Sequence, residues 1–446
     1  MHIIIVGAGE VGYQIAKFLA QEEIDVVVID QDKEKLRRIS EELDVAVIEG
    51  GGGDPTTLKE ADAQKADILL AVTNSDETNM IACLLGKAMF NIPRKIARIR
   101  NPDYFFNKNL LGPENLDIDP AINPELEVAK AIVRLLETPF ATEVEDFEEG
   151  IIKVIGFKID GEIPLIGKKL MDLKEQIGKN FIIGIIERED KVIIPTGKDA
   201  IKEGDVVYLP VRRSDIAEIA ISLQVTTRPS KKIMIAGGGR IGYYIASMFE
   251  GKADIKVIEK NPERCKFLSG SLGRSLILQG DCSDQNLLLE ENIEDMDVFV
   301  AVTNNEELNI MSSLLARKLG ARKSILIVNR TDYIPLAHSL GLAAVLSPRL
   351  ITASSILRYV RRGDILSLTA IAEDKAEIIE SRVGETSILK DRILKDAKLP
   401  KNTLIGMIIR DDSIIVPSGS DVIRKGDKLI IFTLRESIKE MEKILL

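Results

Sequence analysis

The chain has 446 residues, 45% hydrophobic and 29% charged, which fits roughly two to four globular domains and excludes a largely disordered polymer. Its 60 basic and 70 acidic residues leave a net charge of −10, which opposes a phosphate backbone and argues against nucleic acid as a partner. No apolar run approaches the roughly 18–20 residues needed to span a bilayer, so a membrane-spanning helix is excluded as well.

The opening "MHIIIVGAGE" has neither a basic n-region nor a cleavage site, so a cytoplasmic location is expected. Cys83, Cys265 and Cys282 are scattered with no CxxC pair; they are expected to be buried thiols, and no metal site is expected. His2 begins the first strand and His338 falls in a helical stretch, so neither is expected to act as a catalytic base.

In chain order, "HIIIVGAGEVGYQIAKFLAQEEIDVVVID" reads as strand, glycine turn, helix and strand, with Val11, Ile15, Phe18 and Leu19 on one helix face. Further strands are expected at 45–48, 68–73 and 95–100, separated by helices such as 78–90. This alternation implies a parallel sheet covered on both faces. "NPELEVAKAIVRLLE" follows, a helix capped by Asn123 with Pro124 at its first position, and then a linker at 138–149. Residues 181–211 read instead as short strands around turns such as "RED", "PTG" and "EGD", a small α+β module.

After a second linker at 225–231 the pattern starts again. "GAGEVG" at 7–12 recurs as "GGGRIG" at 237–242, and "AVTNSDETNM" at 71–80 as "AVTNNEELNI" at 301–310, both at an offset of 230. Residues 348–361 repeat the capped helix, with Ser347 and Pro348 in the places of Asn123 and Pro124. The α+β module recurs at an offset of 222, with Gly184, Pro195, Gly204 and Asp205 matching Gly406, Pro417, Gly426 and Asp427. The fold class expected is therefore α/β: duplicated Rossmann-like parallel-sheet domains at 1–137 and 231–362, each followed by a small α+β lobe, at 150–224 and 365–446. The two capped helices lead from one type of lobe toward the other and are candidates for hinges or subunit contacts.

Each glycine turn follows a strand, opens a helix, and precedes an acidic residue at the end of the next strand, Asp30 or Glu259. Gly7 and Gly237 permit the tight turn. Gly9 and Gly239 let the backbone approach a pyrophosphate, and Gly12 and Gly242 let helix pack close to strand. The helix starts, Glu10 with Val11 and Arg240 with Ile241, offer free N–H groups and partial positive charge to the diphosphate. Asp30 and Glu259 would accept from ribose hydroxyls and repel a 2′-phosphate, which favours NAD(H) or an adenine nucleotide over NADP.

"AVTN" places Thr73 and Thr303 at the sheet edge where ligands bind, and Asn74, Asp76 and Glu77 follow; a ligand or a helix cap explains them equally well. "EGGGGDP" at 49–55 is either a close approach to adenine or a mobile loop. "ARIRNPDY" brings Arg98 and Arg100 to a strand end, for phosphate contacts or surface ion pairs. The second copy has Ile327 and Asn329 there, and its turn carries Arg240 where the first has Glu10, so the two sites are expected not to be equivalent.

These residues resemble the TrkA family of tandem RCK or KTN regulatory proteins of Trk potassium-uptake systems, each unit a TrkA-N lobe plus a TrkA-C lobe. The motifs carrying the resemblance are "GAGEVG", "VID", "AVTNSDETN", "RIRNPDY" and "GDVVYL" with their second copies, and it extends over nearly the entire chain. It implies a non-enzymatic gating-ring subunit, peripheral to the inner face of the cell membrane, that binds NAD(H), or alternatively ATP or ADP, and controls a potassium-translocating membrane subunit of the TrkH or TrkG type. It further implies a homo-oligomer, such as a tetramer with a ring of eight RCK units. The family's nucleotide site carries over to Gly7, Gly9, Gly12, Asp30, Thr73 and Arg100, and to Gly237, Gly239, Gly242, Glu259 and Thr303. The family's Gly-Asp after the third strand is present as Gly280–Asp281, whereas the first copy has Gly51–Gly52, which departs from it. The rival reading is an NAD-dependent dehydrogenase with duplicated Rossmann domains, which would need a general acid or base beside the nicotinamide; neither small module contains a histidine.

Overall fold

A computed structural model describes residues 1–21, 24–161, 163, 165–172, 181–189, 191–225, 229–342, 344–360, 365–371, 375–411 and 413–445. Parts of the expected linker at 225–231, of the "RED" turn, and of the ends of the helix at 348–361 and the domain at 231–362 lie outside the described residues.

The first sheet comprises β1 (His2–Val6), β2 (Asp25–Asp30), β3 (Ala46–Glu49), β4 (Ile68–Ala71), β5 (Arg94–Arg98) and β6 (Ala121–Ile122). Its order is β3-β2-β1-β4-β5-β6, and every neighbouring pair is parallel. The chain winds outward from β1 on one side, then crosses back to lay β4 on the other, so a crevice opens beyond the carboxyl ends of β1 and β4. Ile3, Ile4 and Ile5 are all fully buried, as a strand covered on both faces requires.

The second sheet comprises β7 (Glu143–Phe147), β8 (Ile152–Lys158), β9 (Ile185–Arg188), β10 (Lys191–Ile193) and β11 (Val206–Arg212), in the antiparallel order β10-β9-β11-β8-β7. The stretch 138–149, read from sequence as a linker, carries β7. Its alternation is short, and only pairing with β8 buries Val144 and Phe147.

The third sheet repeats the first: β12 (Lys232–Ala236), β13 (Asp254–Glu259), β14 (Leu276–Gln279), β15 (Val298–Ala301), β16 (Lys323–Ile327) and β17 (Ala344–Leu346), in the order β14-β13-β12-β15-β16-β17. The fourth repeats the second: β18 (Ile365–Ile371), β19 (Ala376–Arg382), β20 (Thr403–Arg410), β21 (Ser413–Ile415) and β22 (Lys428–Leu434), in the antiparallel order β18-β19-β22-β20-β21. The protein is thus α/β, with two Rossmann-like parallel sheets and two antiparallel ones.

Two compact units result. One contains both Rossmann-like lobes, Met1–Lys130 with Met234–Val360; the other contains Ala131–Ile233 with Arg361–Leu446. Within the first unit, helix Pro348–Leu357 of the second lobe packs on helix Glu10–Ala20 of the first. The second capped helix is therefore a contact between lobes of one chain.

In the second unit the antiparallel sheets share one apolar core, including Phe147, Val154, Ile185 and Tyr208 with Ile378, Met407, Ile430 and Phe432. Phe432 explains the repeated glycines: a Cβ on Gly184 or Gly406 would lie 2.5 or 2.4 Å from its ring. The repeated aspartates are explained by arginine. Asp205, 1% exposed, accepts two 2.7 Å bonds from Arg188, and Asp427 accepts two 2.8 Å bonds from Arg410.

Candidate functional site at the glycine turns

The three glycine positions that the two turns share answer to different constraints. Gly7 has φ +115° and Gly237 φ +107°, in the region that favours glycine, and a Cβ on either would crowd Thr73 or Thr303 backbone at 2.9 or 3.0 Å. A Cβ on Gly12 would lie 1.9 Å from the Gly7 carbonyl oxygen, and one on Gly242 2.0 Å from that of Gly237. These four are glycine for the sake of the fold. Gly9 and Gly239 have ordinary extended backbone, and a Cβ on either would meet nothing within 4 Å. No steric contact demands glycine there. What the missing side chain leaves is room beside the start of a helix.

That helix start is also uncapped. Helices beginning after Asp32, Asp54 and Ser75 each have a side-chain oxygen accepting from their first amides. Gly9 and Gly239 supply none, so the amides around Glu10 and Val11, and around Arg240 and Ile241, lack that partner. Eleven- and ten-residue helices with open amino ends favour an anion there.

Asp30 and Glu259 stand beside the turns and do a second job. Asp30 accepts from Ala8 N at 2.6 Å and Asp32 N at 2.9 Å; Glu259 accepts from Gly238 N at 2.9 Å and Asn261 N at 2.8 Å. Each carboxylate ties the glycine turn to the end of its neighbouring strand. A carboxylate has about four lone-pair positions, so capacity for a ribose hydroxyl remains.

Thr73 and Thr303 sit at the carboxyl ends of β4 and β15, each held by an asparagine the sequence reading did not single out. Asn79 accepts from Thr73 N at 2.9 Å and Thr73 Oγ1 at 2.7 Å, and donates to the carbonyls of Thr73 and Arg98. Asn309 repeats the pattern on Thr303 and Ile327. The signal was available, because the second Asn of "AVTNSDETN" recurs in "AVTNNEELN". The cap is Ser75, while the buried Asp76 accepts from Arg100 N and Asn101 N, as Glu306 does from Asn329 N and Arg330 N.

The two arginines of β5 and its following loop part company. Arg100 donates through Nε to Glu125 at 2.7 Å. Arg98 has no carboxylate partner among the described residues: it donates to Asn74 Oδ1 at 2.9 Å, and its Nε is buried without an acceptor. Burial, with Arg100 nearby, pulls it below the ordinary arginine range. A desolvated guanidinium at a strand's carboxyl end is a place for an anion.

The expected Gly-Asp difference has a packing cause. A Cβ on Gly52 would lie 1.9 Å from Val6 Cγ1, whereas the second copy has Ala236 in the place of Val6 and accommodates Asp281. Asp281 there is bonded to Ser283 and pairs with Lys260 at 3.4 Å. Gly50 and Gly52 both pack closely, against Thr57 and Val6, so this loop is fitted to the lobe.

His2 is bonded to Asp25 at 2.6 Å and to Ala61 O. Cys83 and Cys282 are buried, which pushes their thiols up to about 12 and about 11; Cys265 is half-buried, less enclosed than expected. Among the described residues no cluster suits a metal ion, and no helix is long and apolar enough to cross a membrane.

The TrkA-N domain family matches residues 3–124 and 233–348, and the TrkA-C domain family matches 154–221 and 378–446. The chain is 37% identical to the Trk system potassium uptake protein TrkA of Halomonas elongata, over 100% of this chain and 98% of that protein. It is 39% identical to TrkA homolog 1 of Methanosarcina mazei, over 99% of each. A structure of the GsuK channel bound to NAD is similar over 100% of this chain and 78% of its own, with TM-score 0.62 at 17% identity, which is a likeness of fold. With both family matches occurring twice in alternation and full-length relatives above one-third identity, the chain belongs to the TrkA family of tandem TrkA-N and TrkA-C proteins.

Proposed function

We propose that the chain is a nucleotide-sensing, non-enzymatic regulatory subunit of a Trk-type potassium-uptake system. The observation that carries the ligand is the contrast among the glycines. Gly7 and Gly12 are required by contacts already made, whereas beside Gly9 and Gly239 a Cβ would meet no atom of the described residues within 4 Å. A dinucleotide or adenine nucleotide fits: diphosphate at the uncapped helix, ribose on Asp30 or Glu259, and in the first site a phosphate drawn to Arg98. NAD(H) is the favoured ligand, with ATP or ADP the alternative. The GsuK channel is described as bound to NAD, and Trk system naming of the relatives supports a membrane partner.

A potassium-translocating subunit of TrkH or TrkG type is the partner, approached from the cytoplasmic side by a homo-oligomer, a tetramer giving a ring of eight RCK units. The nucleotide-binding lobes are 1–137 and 231–362, and the small lobes 150–224 and 365–446. The ligand acts by binding one arrangement of the lobes more tightly than another. Arg98, not Arg100, is the first-site phosphate contact in this reading, because Arg100 is engaged by Glu125.

Calorimetry with NADH, NAD, ATP and ADP on the full-length protein tests it. The expected result is binding that Gly9→Ala and Gly239→Ala each weaken at one site while leaving the melting temperature nearly unchanged. Absence of binding by every nucleotide overturns the reading, and steady oxidation of NADH with a carbonyl substrate would install the dehydrogenase in its place.

A further inference from the structure

The two Rossmann-like lobes have the same fold but opposite charge at equivalent positions of the face they share. Glu10 and Arg240 hold the same place in the two glycine turns. Glu125 and Arg349 hold the same place in the two capped helices, each two residues after its cap, Asn123 or Ser347. The structure pairs them crosswise: Arg349 Nη1 lies 3.3 Å from Glu10 Oε2, and Arg240 Nη1 lies 3.7 Å from Glu125 Oε1. Each pair joins one lobe to the other, and each lobe contributes a single sign of charge.

The counterions follow the same division. In the first lobe Glu10 also meets Arg38 at 3.0 Å, and Glu125 also meets Arg100 at 2.7 Å. The second lobe has Phe267 and Asn329 where the first has Arg38 and Arg100. Among the described residues, the carboxylates paired with Arg240 and Arg349 are therefore those of the first lobe. Pairing two second lobes would set Arg240 against Arg349 twice, without the Glu10 and Glu125 carboxylates that face them here. Pairing two first lobes would set Glu10 against Glu125. Like charges brought together across an interface discriminate against the wrong partner more strongly than complementary ones reward the right one.

We propose that the charge-swapped pairs Glu10–Arg349 and Arg240–Glu125 make the unlike lobe the partner of each lobe and exclude the like lobe of a second copy. The duplication then produced two halves that recognise each other, where two identical halves would pair indifferently within and between chains.

The test uses the full-length chain without nucleotide. Arg349→Glu sets a carboxylate against Glu10, and Arg240→Glu does the same against Glu125; each is expected to lower the melting midpoint by about 3 °C or more. Adding Glu10→Gln to the first, or Glu125→Gln to the second, removes the facing charge and is expected to restore at least half of that loss. A side chain acting by packing alone would show no such recovery. Arg349→Glu also gives the second lobe both signs, Arg240 and a carboxylate, making it self-complementary, so its mass by light scattering is expected to rise with concentration beyond the parent's. Unmoved midpoints, or losses that the glutamine backgrounds do not relieve, overturn the charge-selected pairing. A mass identical to the parent's at every concentration overturns the exclusion of like lobes.

Discussion

Asn79 holds Thr73 from two sides: its side-chain oxygen accepts from the Thr73 amide at 2.9 Å and the Thr73 hydroxyl at 2.7 Å, while its nitrogen donates to the Thr73 carbonyl. The same nitrogen reaches the Arg98 carbonyl at 2.8 Å, so one fully buried amide joins the ends of β4 and β5 beside the crevice. Asn309 does this in the second lobe.

Replacing Asn79 by Ala leaves several buried polar groups without partners at once. Each such group costs about 1–3 kcal/mol, and a loss of about 3 kcal/mol in unfolding free energy is expected, with weaker nucleotide binding at the first site. Chemical denaturation and calorimetry on the variant check both; Asn309→Ala should reproduce the stability loss and spare the first site.

Gly12→Ala and Gly9→Ala should separate cleanly although they lie three residues apart. The added methyl at 12 collides with the Gly7 carbonyl, and overpacking of this kind costs about 1–3 kcal/mol or more. At 9 it enters open space, so the melting curve should barely move while affinity falls. A Gly9→Ala protein destabilised by more than the roughly 1 kcal/mol that alanine costs at a helix N-cap would show a steric constraint in the turn.

Arg98→Met should lower affinity for a polyphosphate about tenfold or more, since a hydrogen bond to a charged group contributes about 1.5–3 kcal/mol. Its stability should be equal to or above the parent's, because the replaced guanidinium is desolvated and forms no ion pair with a carboxylate among the described residues. Titration calorimetry and a melt on the same preparation measure the two effects.

Asp205 carries a pH signature. Burial pushes its carboxyl up, but the bonds from Arg188 and the Lys202 amide more than offset this, and the group lies below its usual range. A depressed folded-state value means the stabilisation is present above the unfolded value, near 3.9, and is lost as pH falls through the lower folded one. Denaturation curves between about pH 6 and pH 2 should show stability falling at the acid end, and Asp205→Asn should flatten that fall while costing about 3–5 kcal/mol at neutral pH.

Thiol labelling of the native protein at pH 8 should modify Cys265 first. Cys83 and Cys282 are buried and held almost wholly protonated at that pH, and the thiolate is the reactive form. Mass spectrometry of the labelled peptides gives the order.

Local pattern determined a great deal. The β-branched runs, the glycine turns and the constant offset between copies suffice for the parallel sheets, the acid at the end of β2 or β13, and the alternation of lobe types, because these depend on backbone freedom and on periods of two and 3.6 residues. Even the charge difference between Glu10 and Arg240 stood in the sequence.

Tertiary structure alone decided what that difference does. Glu10 and Arg349 are 339 positions apart in the chain, and no local rule connects a turn to a helix start in another lobe; only packing brings them to 3.3 Å. The same holds for Arg98 and Arg100, two residues apart and indistinguishable by type: Arg100 is hydrogen-bonded to Glu125, whereas Arg98 donates to Asn74 and forms no ion pair among the described residues, a division that only the packing around the end of β5 sets. Which of the turn's glycines the fold itself requires is also settled only in space. That distinction depends on whether a Cβ would strike an atom from elsewhere in the chain, at 1.9 Å for Gly12 and nowhere within 4 Å for Gly9.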